Sequence, residues 1–375
     1  VPFLLRAFLT IVYKNFIVNL YKYMFTILFF RISSSKYLGE DETENMIDFQ
    51  SLAKAVLEGY QITEGESLAI LDCRDEAILP LLHSAYVIRK HYYGNKVKLN
   101  MIINTKSGAC SENCGYCAQS RDSTNPIEKY KMMDKDSIVK GAERASQLHA
   151  GTYCIVASGR GPTDRELNHI IGAVKEIKAK YDLKICACLG ILKPGQAEQL
   201  KEAGVDRYNH NINTSKAHHA TITTSHTYDD RVQTVNKVKE ARISPCSGII
   251  VGMKETKQDV IQMAFALQEL KAASIPVNFL HAMEGTLLEG TDELTPLYCL
   301  KVLCLFRFTN PQAEIRVSGG REVNLRSLQP LSLYPANSMF IGDYLTTTGQ
   351  VAKKDYQMLK DLGFEIDDVN SEVPV

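Results

Sequence analysis

The 375-residue chain has no tryptophan, no excess of either charge and no apolar run long enough to span a bilayer uninterrupted. Its 43 basic and 43 acidic side chains cancel. That balance excludes the broad basic face which nucleic-acid phosphates require, so no nucleic-acid partner is expected. Residues 1–31 are apolar and aromatic, but Arg6, Lys14, Lys22 and Arg31 break every stretch short of the roughly 18–20 residues of a transmembrane helix. No small-residue cleavage site follows, as a signal peptide would need. No self-similar repeat is visible either. What is present is a hydrophobic fraction of 45%, enough for one large core or two ordinary ones. Ten cysteines are too few for a secreted disulfide scaffold and many for an ordinary enzyme of this size. They point to a reduced, cytoplasmic protein, and their spacing has to decide what the thiols do.

The first 45 residues admit three readings. They are translated AT-rich sequence upstream of a start at Met46, a membrane or interfacial anchor, or an extra packed helix. The polar linker SSSKYLGEDETEN then leads into Met46. Helical periodicity over 48–60, 64–72 and 77–93 predicts an N-terminal helical segment spanning 46–95. From 96 to 365, short apolar runs alternate with amphipathic stretches. The runs are KLNMIIN (98–104), TYCIVAS (152–158), KICACLG (184–190), VDRYNHN (205–211), PCSGIIVG (245–252), PVNFLH (276–281), EIRVSG (314–319) and NSMFIGD (337–343). Helices are expected between them at 134–149, 163–180, 194–203, 228–241, 256–273, 292–308 and 320–330. Eight strands separated by helices describe an α/β fold of the (β/α)8 TIM-barrel type, with a doubly wound open sheet as the alternative. The acidic end, 366–375, reads as a solvated tail.

The sharpest local signal follows the first strand, in SGACSENCGYCAQS. Cys110, Cys114 and Cys117 stand at C-x3-C-x2-C spacing, with Gly108 and Gly115 letting the loop fold tightly. Three thiolates on one loop can hold three irons of a [4Fe–4S] cluster and leave the fourth open for chemistry. A zinc knuckle completed by a distant ligand is the alternative, although no matching C-x2-C or H-x3-H follows. Elsewhere, Cys154, Cys186 and Cys246 fall on three different strands and Arg316 on another. Alternate strand residues of a barrel face inward, so these four can converge. Singly, each cysteine also fits an ordinary core position. Arg316 does not, because a buried guanidinium needs partners. Cys188 faces the same side as Cys186, while Cys73, Cys299 and Cys304 read as bystanders. His218 and His219 read as solvated loop histidines.

The cysteine loop resembles the signature of radical S-adenosylmethionine enzymes. Together with YNHNINTS (208–215), ITTSHTYDDR (222–231), PCSGIIVG, PVNFLHAMEGT (276–286) and IRVSGGRE (315–322), residues 46–365 resemble the biotin synthase family. The resemblance implies sulfur insertion at C6 and C9 of dethiobiotin by a radical derived from S-adenosyl-L-methionine. It implies a [4Fe–4S] cluster on Cys110, Cys114 and Cys117, and a [2Fe–2S] cluster on Cys154, Cys186, Cys246 and Arg316. It further implies S-adenosylmethionine contacts from Tyr116, Asn211, Asn213 and Arg231, and substrate contacts from Asn211 and Asn278. Many members have Asp where this chain has Asn213. Arg231 also fits a surface helix charge paired with Asp229 or an acid one turn away. A homodimer and a flavodoxin or ferredoxin-type electron donor follow from the same likeness. The competing expectations are another radical enzyme of the same barrel type and a non-catalytic iron–sulfur protein.

Overall fold

The computed structural model describes residues 47–367. The readings of residues 1–45, and of the tail beyond residue 367, lie outside them. Three helices lead in: α1 (Phe49–Leu57), α2 (Glu64–Asp72) and α3 (Ile78–Tyr93). α1 starts where the Asp48 carboxylate accepts from the backbone N–H groups of Gln50 and Ser51. α2 starts at a reciprocal capping box between Thr63 and Glu66. These are the three helices that the periodicity predicts.

Strand and helix then alternate. The first half runs β1 (Lys96–Lys106), α4 (Lys135–Gln147), β2 (Thr152–Ala157), α5 (Asp164–Lys180), β3 (Lys184–Cys188), α6 (Gln196–Glu202) and β4 (Arg207–Asn209). After the short α7 (His219–Ile222) come α8 (Tyr228–Glu240), β5 (Ser244–Cys246), β6 (Ile249–Val251) and α9 (Lys257–Glu269). The last part is β7 (Ser274–Phe279), α10 (Pro296–Thr309), β8 (Glu314–Val317), α11 (Arg321–Leu325), β9 (Ser338–Phe340), α12 (Ala352–Asp361) and β10 (Glu365–Ile366). Capping boxes at Thr163, Thr227 and Thr256 start α5, α8 and α9, so each βα loop ends on a side chain that satisfies free helical N–H groups.

The strands pair in parallel in the order β1, β2, β3, β4, β5, β7, β8, β9, with β6 beside β7, and β9 pairs back onto β1, with Lys98 opposite Ser338 and Asn100 opposite Phe340. That closure makes an eight-stranded barrel and rules out the open sheet. β5 and β6 are halves of the fifth strand, broken at Ser247–Gly248. β5 pairs with β4 and β7, and β6 continues along β7. A Cβ on Gly248 would lie 2.0 Å from the Pro276 carbonyl oxygen, so only glycine allows this approach.

α10 is buried on all faces from Cys299 to Thr309, packed between β8 and the lead-in helices α2 and α3. Cys299 and Cys304 are therefore core thiols. The tail assignment is corrected at its border. Ile366 and its neighbour Glu365 form β10 against Val97 and Lys96, where β1 projects below the barrel and its backbone groups need partners. No helix among the described residues is long and apolar enough to cross a membrane.

Candidate active site

The C-terminal ends of the strands and the loops after them line a cavity of about 420 Å³, at the end of the barrel where function collects. Period-two alternation decides which strand residues reach it. On β2, Tyr153 and Ile155 are fully buried under the helices, and the Tyr153 hydroxyl donates to Ile138 of α4. Cys154 and Val156 face inward and line the cavity. Cys186 on β3 stands directly opposite Cys154. Cys246 ends β5, within hydrogen-bond reach of Cys186, and the three thiols pack with Phe340 into one buried group.

Arg316 of β8 joins them. It is 1% exposed and lies over the Phe340 ring, 5.0 Å from its centroid. Its Nη2 donates to Glu314 at 2.7 Å and to Ser274 at 3.1 Å, and its Nε donates to Ser338 at 3.2 Å. These bonds leave out Nη1. Burial pulls the guanidinium pKa down, but Glu314, and after it the three thiols, hold it above its ordinary value. Neighbouring thiols and burial push Cys186 and Cys246 well above the thiol range. Taking up iron there would release protons, since thiolate is the ligand form.

The second thiol set sits at the mouth, on the loop between β1 and α4. Gly108 takes a left-handed φ of 68° to start the turn, whereas Gly115 contributes its N–H, donated to Ile222 O at 2.9 Å. Cys114 is buried and Cys110 and Cys117 are half-buried. Burial pushes Cys117 up to about 12. Among the described residues, no three His, Cys, Asp or Glu side chains gather in the manner of a single-ion site. A [4Fe–4S] cluster asks one protein ligand per iron and a [2Fe–2S] cluster two, so three thiols on the loop would leave one iron open, whereas the interior three thiols would need a fourth donor such as Arg316.

Between the two thiol sets lie the amides. Asn211 Oδ1 accepts from Gly248 N at 2.9 Å and from Asn209 Nδ2 at 2.8 Å. Both anchors use its oxygen, which directs its Nδ2 donor to the cavity. Asn278 is held on both sides, donating to Ile249 O at 2.9 Å and accepting from Gly319 N at 3.0 Å. Asn213 has a φ of 67°, a left-handed conformation that asparagine tolerates, and its backbone bridges the end of β4 to Ile249. With its amide oxygen turned toward the donors, it accepts from the Tyr116 hydroxyl at 2.5 Å and from Arg231 Nη1 and Nη2 at 3.2 Å.

Arg231 is buried and lines the cavity, so its reading as a surface charge fails. Asp229 pairs instead with Lys216 at 2.9 Å. The histidine reading is also corrected. His219 is buried on α7 with Nε2 on His226 O, and His218 reaches Met253 O at 2.9 Å. Cys188 faces inward as expected and lines the cavity. His210 is buried there too, and its Nε2 has no hydrogen-bond partner among the described residues. Sequence reasoning missed Glu112, His226 and Glu314. The signals were an acid inside the cysteine loop, a histidine in ITTSHTYDDR, and an acid two residues before Arg316 on the same strand face.

The Radical SAM superfamily profile matches residues 105–267, and the Biotin and Thiamin Synthesis associated domain matches residues 276–365. Solved structures share the fold at low identity. Methylornithine synthase aligns with a TM-score of 0.75 at 20% identity, covering 84% of this chain and 97% of that one. The FeFe-hydrogenase maturase from Carboxydothermus hydrogenoformans aligns at 0.72 and 16%, covering 86% and 80%. Closed barrel, three-thiol loop and family profile together define a radical S-adenosylmethionine enzyme. The biotin synthase of Geobacillus kaustophilus is 68% identical over 322 residues, 86% of this chain and 97% of its own. That of Bacillus subtilis strain 168 is 64% identical over 324 residues, with the same two coverages. The chain belongs to the biotin synthase family.

Proposed function

We infer that the chain makes biotin from dethiobiotin, inserting sulfur between C6 and C9. The observation that carries this reading is one cavity lined by Cys110, Cys114 and Cys117 and by Cys154, Cys186 and Arg316, with Cys246 packed against the latter thiols and with anchored amides lining the same cavity. No side-chain acid, base or nucleophile breaks unactivated C–H bonds, so the reactivity has to come from a cofactor. The donor sets suit the two clusters that the family implies. Cys110, Cys114 and Cys117 would hold three irons of a [4Fe–4S] cluster, and Cys154, Cys186, Cys246 and Arg316 would hold a [2Fe–2S] cluster. When bound, the first supplies the electron that splits S-adenosylmethionine to methionine and a carbon radical, and the second supplies the sulfur atom.

The chain's own residues set the geometry. Arg231 presents a guanidinium to the methionine carboxylate, a match of fork to carboxylate. Tyr116 and Asn213 brace one another beside it, close to the ribose. Asn211 can only donate to a ligand, because its oxygen is already engaged. A ureido carbonyl is the matching acceptor, and Asn278 closes on the same ring from β7. The barrel walls hold substrate between the thiol sets and exclude water and oxygen. By the same family likeness, the working form is a cytoplasmic homodimer fed by a flavodoxin or ferredoxin-type donor.

The test is anaerobic reconstitution with iron and sulfide, then incubation with dethiobiotin, S-adenosylmethionine and a reductant. Biotin should form and should require S-adenosylmethionine. A loaded chain that cleaves S-adenosylmethionine yet leaves dethiobiotin unchanged would contradict the substrate assignment.

A further inference from the structure

The cysteine loop is tied to one short segment, residues 223–226, by two of its side chains. Asn113 Oδ1 accepts from Thr223 Oγ1 at 2.8 Å and from the N–H groups of Thr224 and Ser225 at 3.0 Å. Glu112 Oε2 accepts from Ser225 Oγ at 2.7 Å, from His226 Nδ1 at 2.6 Å and from Arg160 Nη1 at 3.3 Å. The other ring nitrogen, His226 Nε2, accepts from Arg231 Nε at 2.9 Å. An arginine can only donate, so Nε2 must be the bare nitrogen and Nδ1 the protonated one. One tautomer therefore satisfies both bonds. Glu112, His226 and Arg231 are all nine-tenths or more buried.

The consequence falls on Arg231. His226 fixes its Nε and the Asn211 carbonyl fixes its Nη1 at 2.8 Å. Two fixed nitrogens set the plane of the guanidinium, and the remaining Nη2 donates to Asn213 at the cavity. We propose that His226, held in one tautomer by Glu112, is a positioning residue which aims Arg231 at the carboxylate of S-adenosylmethionine, linking the cysteine loop to cosubstrate recognition. The proposal rests on the role assigned to Arg231 above. Asn113 and Ser225 hold the loop independently of the ring, so cluster loading should not depend on His226.

The test compares His226→Leu, which removes both bonds, His226→Asn, which reaches only the Glu112 side, and His226→Gln, whose longer amide puts an acceptor near the Nε2 position. Each is reconstituted anaerobically. Iron content, S-adenosylmethionine affinity by equilibrium dialysis, and competition by 5′-methylthioadenosine, which lacks the carboxylate, are then measured. The Leu and Asn variants should keep wild-type iron and wild-type methylthioadenosine affinity while binding S-adenosylmethionine about tenfold more weakly. Gln should return within about threefold of wild type. The electron paramagnetic resonance change that S-adenosylmethionine causes in the reduced cluster should need about tenfold more S-adenosylmethionine in the Leu and Asn variants and return toward the wild-type concentration in Gln. Unchanged S-adenosylmethionine affinity in the Asn variant, equal weakening toward methylthioadenosine, loss of iron, or no rescue by Gln each overturns the positioning role. Undiminished S-adenosylmethionine affinity in Arg231→Met overturns instead the underlying assignment of Arg231.

Discussion

Glu314→Gln should destabilise the chain severely although it removes no volume. The Glu314 side chain is 2% exposed and pairs with Arg207 and with Arg316, each at 2.7 Å, and with Lys98 at 3.5 Å. It also accepts from Ser338 at 2.9 Å and from Ser274 at 3.3 Å. Neutralising it leaves two buried guanidiniums facing an amide. Removing one partner of a buried ion pair costs about 3–5 kcal/mol, because the remaining charge stays desolvated. Two buried guanidiniums share this acid, with Lys98 beside them, so the upper half of that range is expected. At roughly 2.1 cal/mol/K per residue, a loss of 4 kcal/mol lowers Tm by about 6 °C for a domain of this size. Circular dichroism melts of the cluster-free chain measure it. Burial opposes ionisation of Glu314, but Arg207, Arg316 and Lys98 hold its pKa well below the usual carboxylate range. A depressed carboxylate contributes stability above its unfolded pKa, lost only as pH falls through the folded value. The deficit of the variant should therefore stay constant from pH 6 to 8. A Tm drop under about 2 °C, or one that vanishes between those pH values, refutes the reasoning.

Cys246→Ala should leave the [4Fe–4S] spectrum intact while abolishing the second cluster and biotin formation, read by Mössbauer spectroscopy and product assay. A variant making biotin at the wild-type rate would remove Cys246 from the ligand set. Gly248→Ala drives a Cβ to 2.0 Å from the Pro276 carbonyl oxygen. It should cost at least the roughly 1–3 kcal/mol of an overpacked core and disturb Asn211, which is anchored on the same N–H. Urea unfolding and substrate affinity should change together. Burial, followed by Arg231, holds His226 near 4, and burial also depresses His210 and His219. Unfolding lets these rings bind protons, so stability should fall as pH drops below about 6.5, by up to ~1.4 kcal/mol per pH unit for each ring. Urea midpoints between pH 8 and 5 test the slope, and His226→Gln should reduce it.

Most of the barrel was legible in the sequence because its strands are short β-branched runs between well-capped helices. Pattern alone could not show closure. The pairing of Lys98 with Ser338 joins residues at opposite ends of the fold and leaves no local mark. Nor could it show the broken fifth strand, since PCSGIIVG reads as one run until Gly248 meets Pro276 across the sheet. The thiol sets were legible for different reasons. Cys110, Cys114 and Cys117 declare themselves by spacing, whereas Cys154, Cys186, Cys246 and Arg316 could converge only if the strands closed into a barrel, and their joint role came from the family resemblance. Burial was the weak point. His219 and Arg231 sit among polar residues in the sequence, yet the fold turns these positions of α7 and α8 inward and buries them. Glu112 and Glu314 look like solvated acids until their arginine and histidine partners arrive from distant strands and loops.

The central question is whether the barrel interior holds a sulfur source or a row of core thiols. Reconstitution with sulfur-34 sulfide, desalting, and a single turnover with unlabelled reagents tests that directly. Mass spectrometry of the biotin formed should show the label in its ring, and the label should be absent when Arg316 or Cys246 is replaced. Biotin carrying unlabelled sulfur, or labelled biotin from the Cys246→Ala chain, would contradict the account.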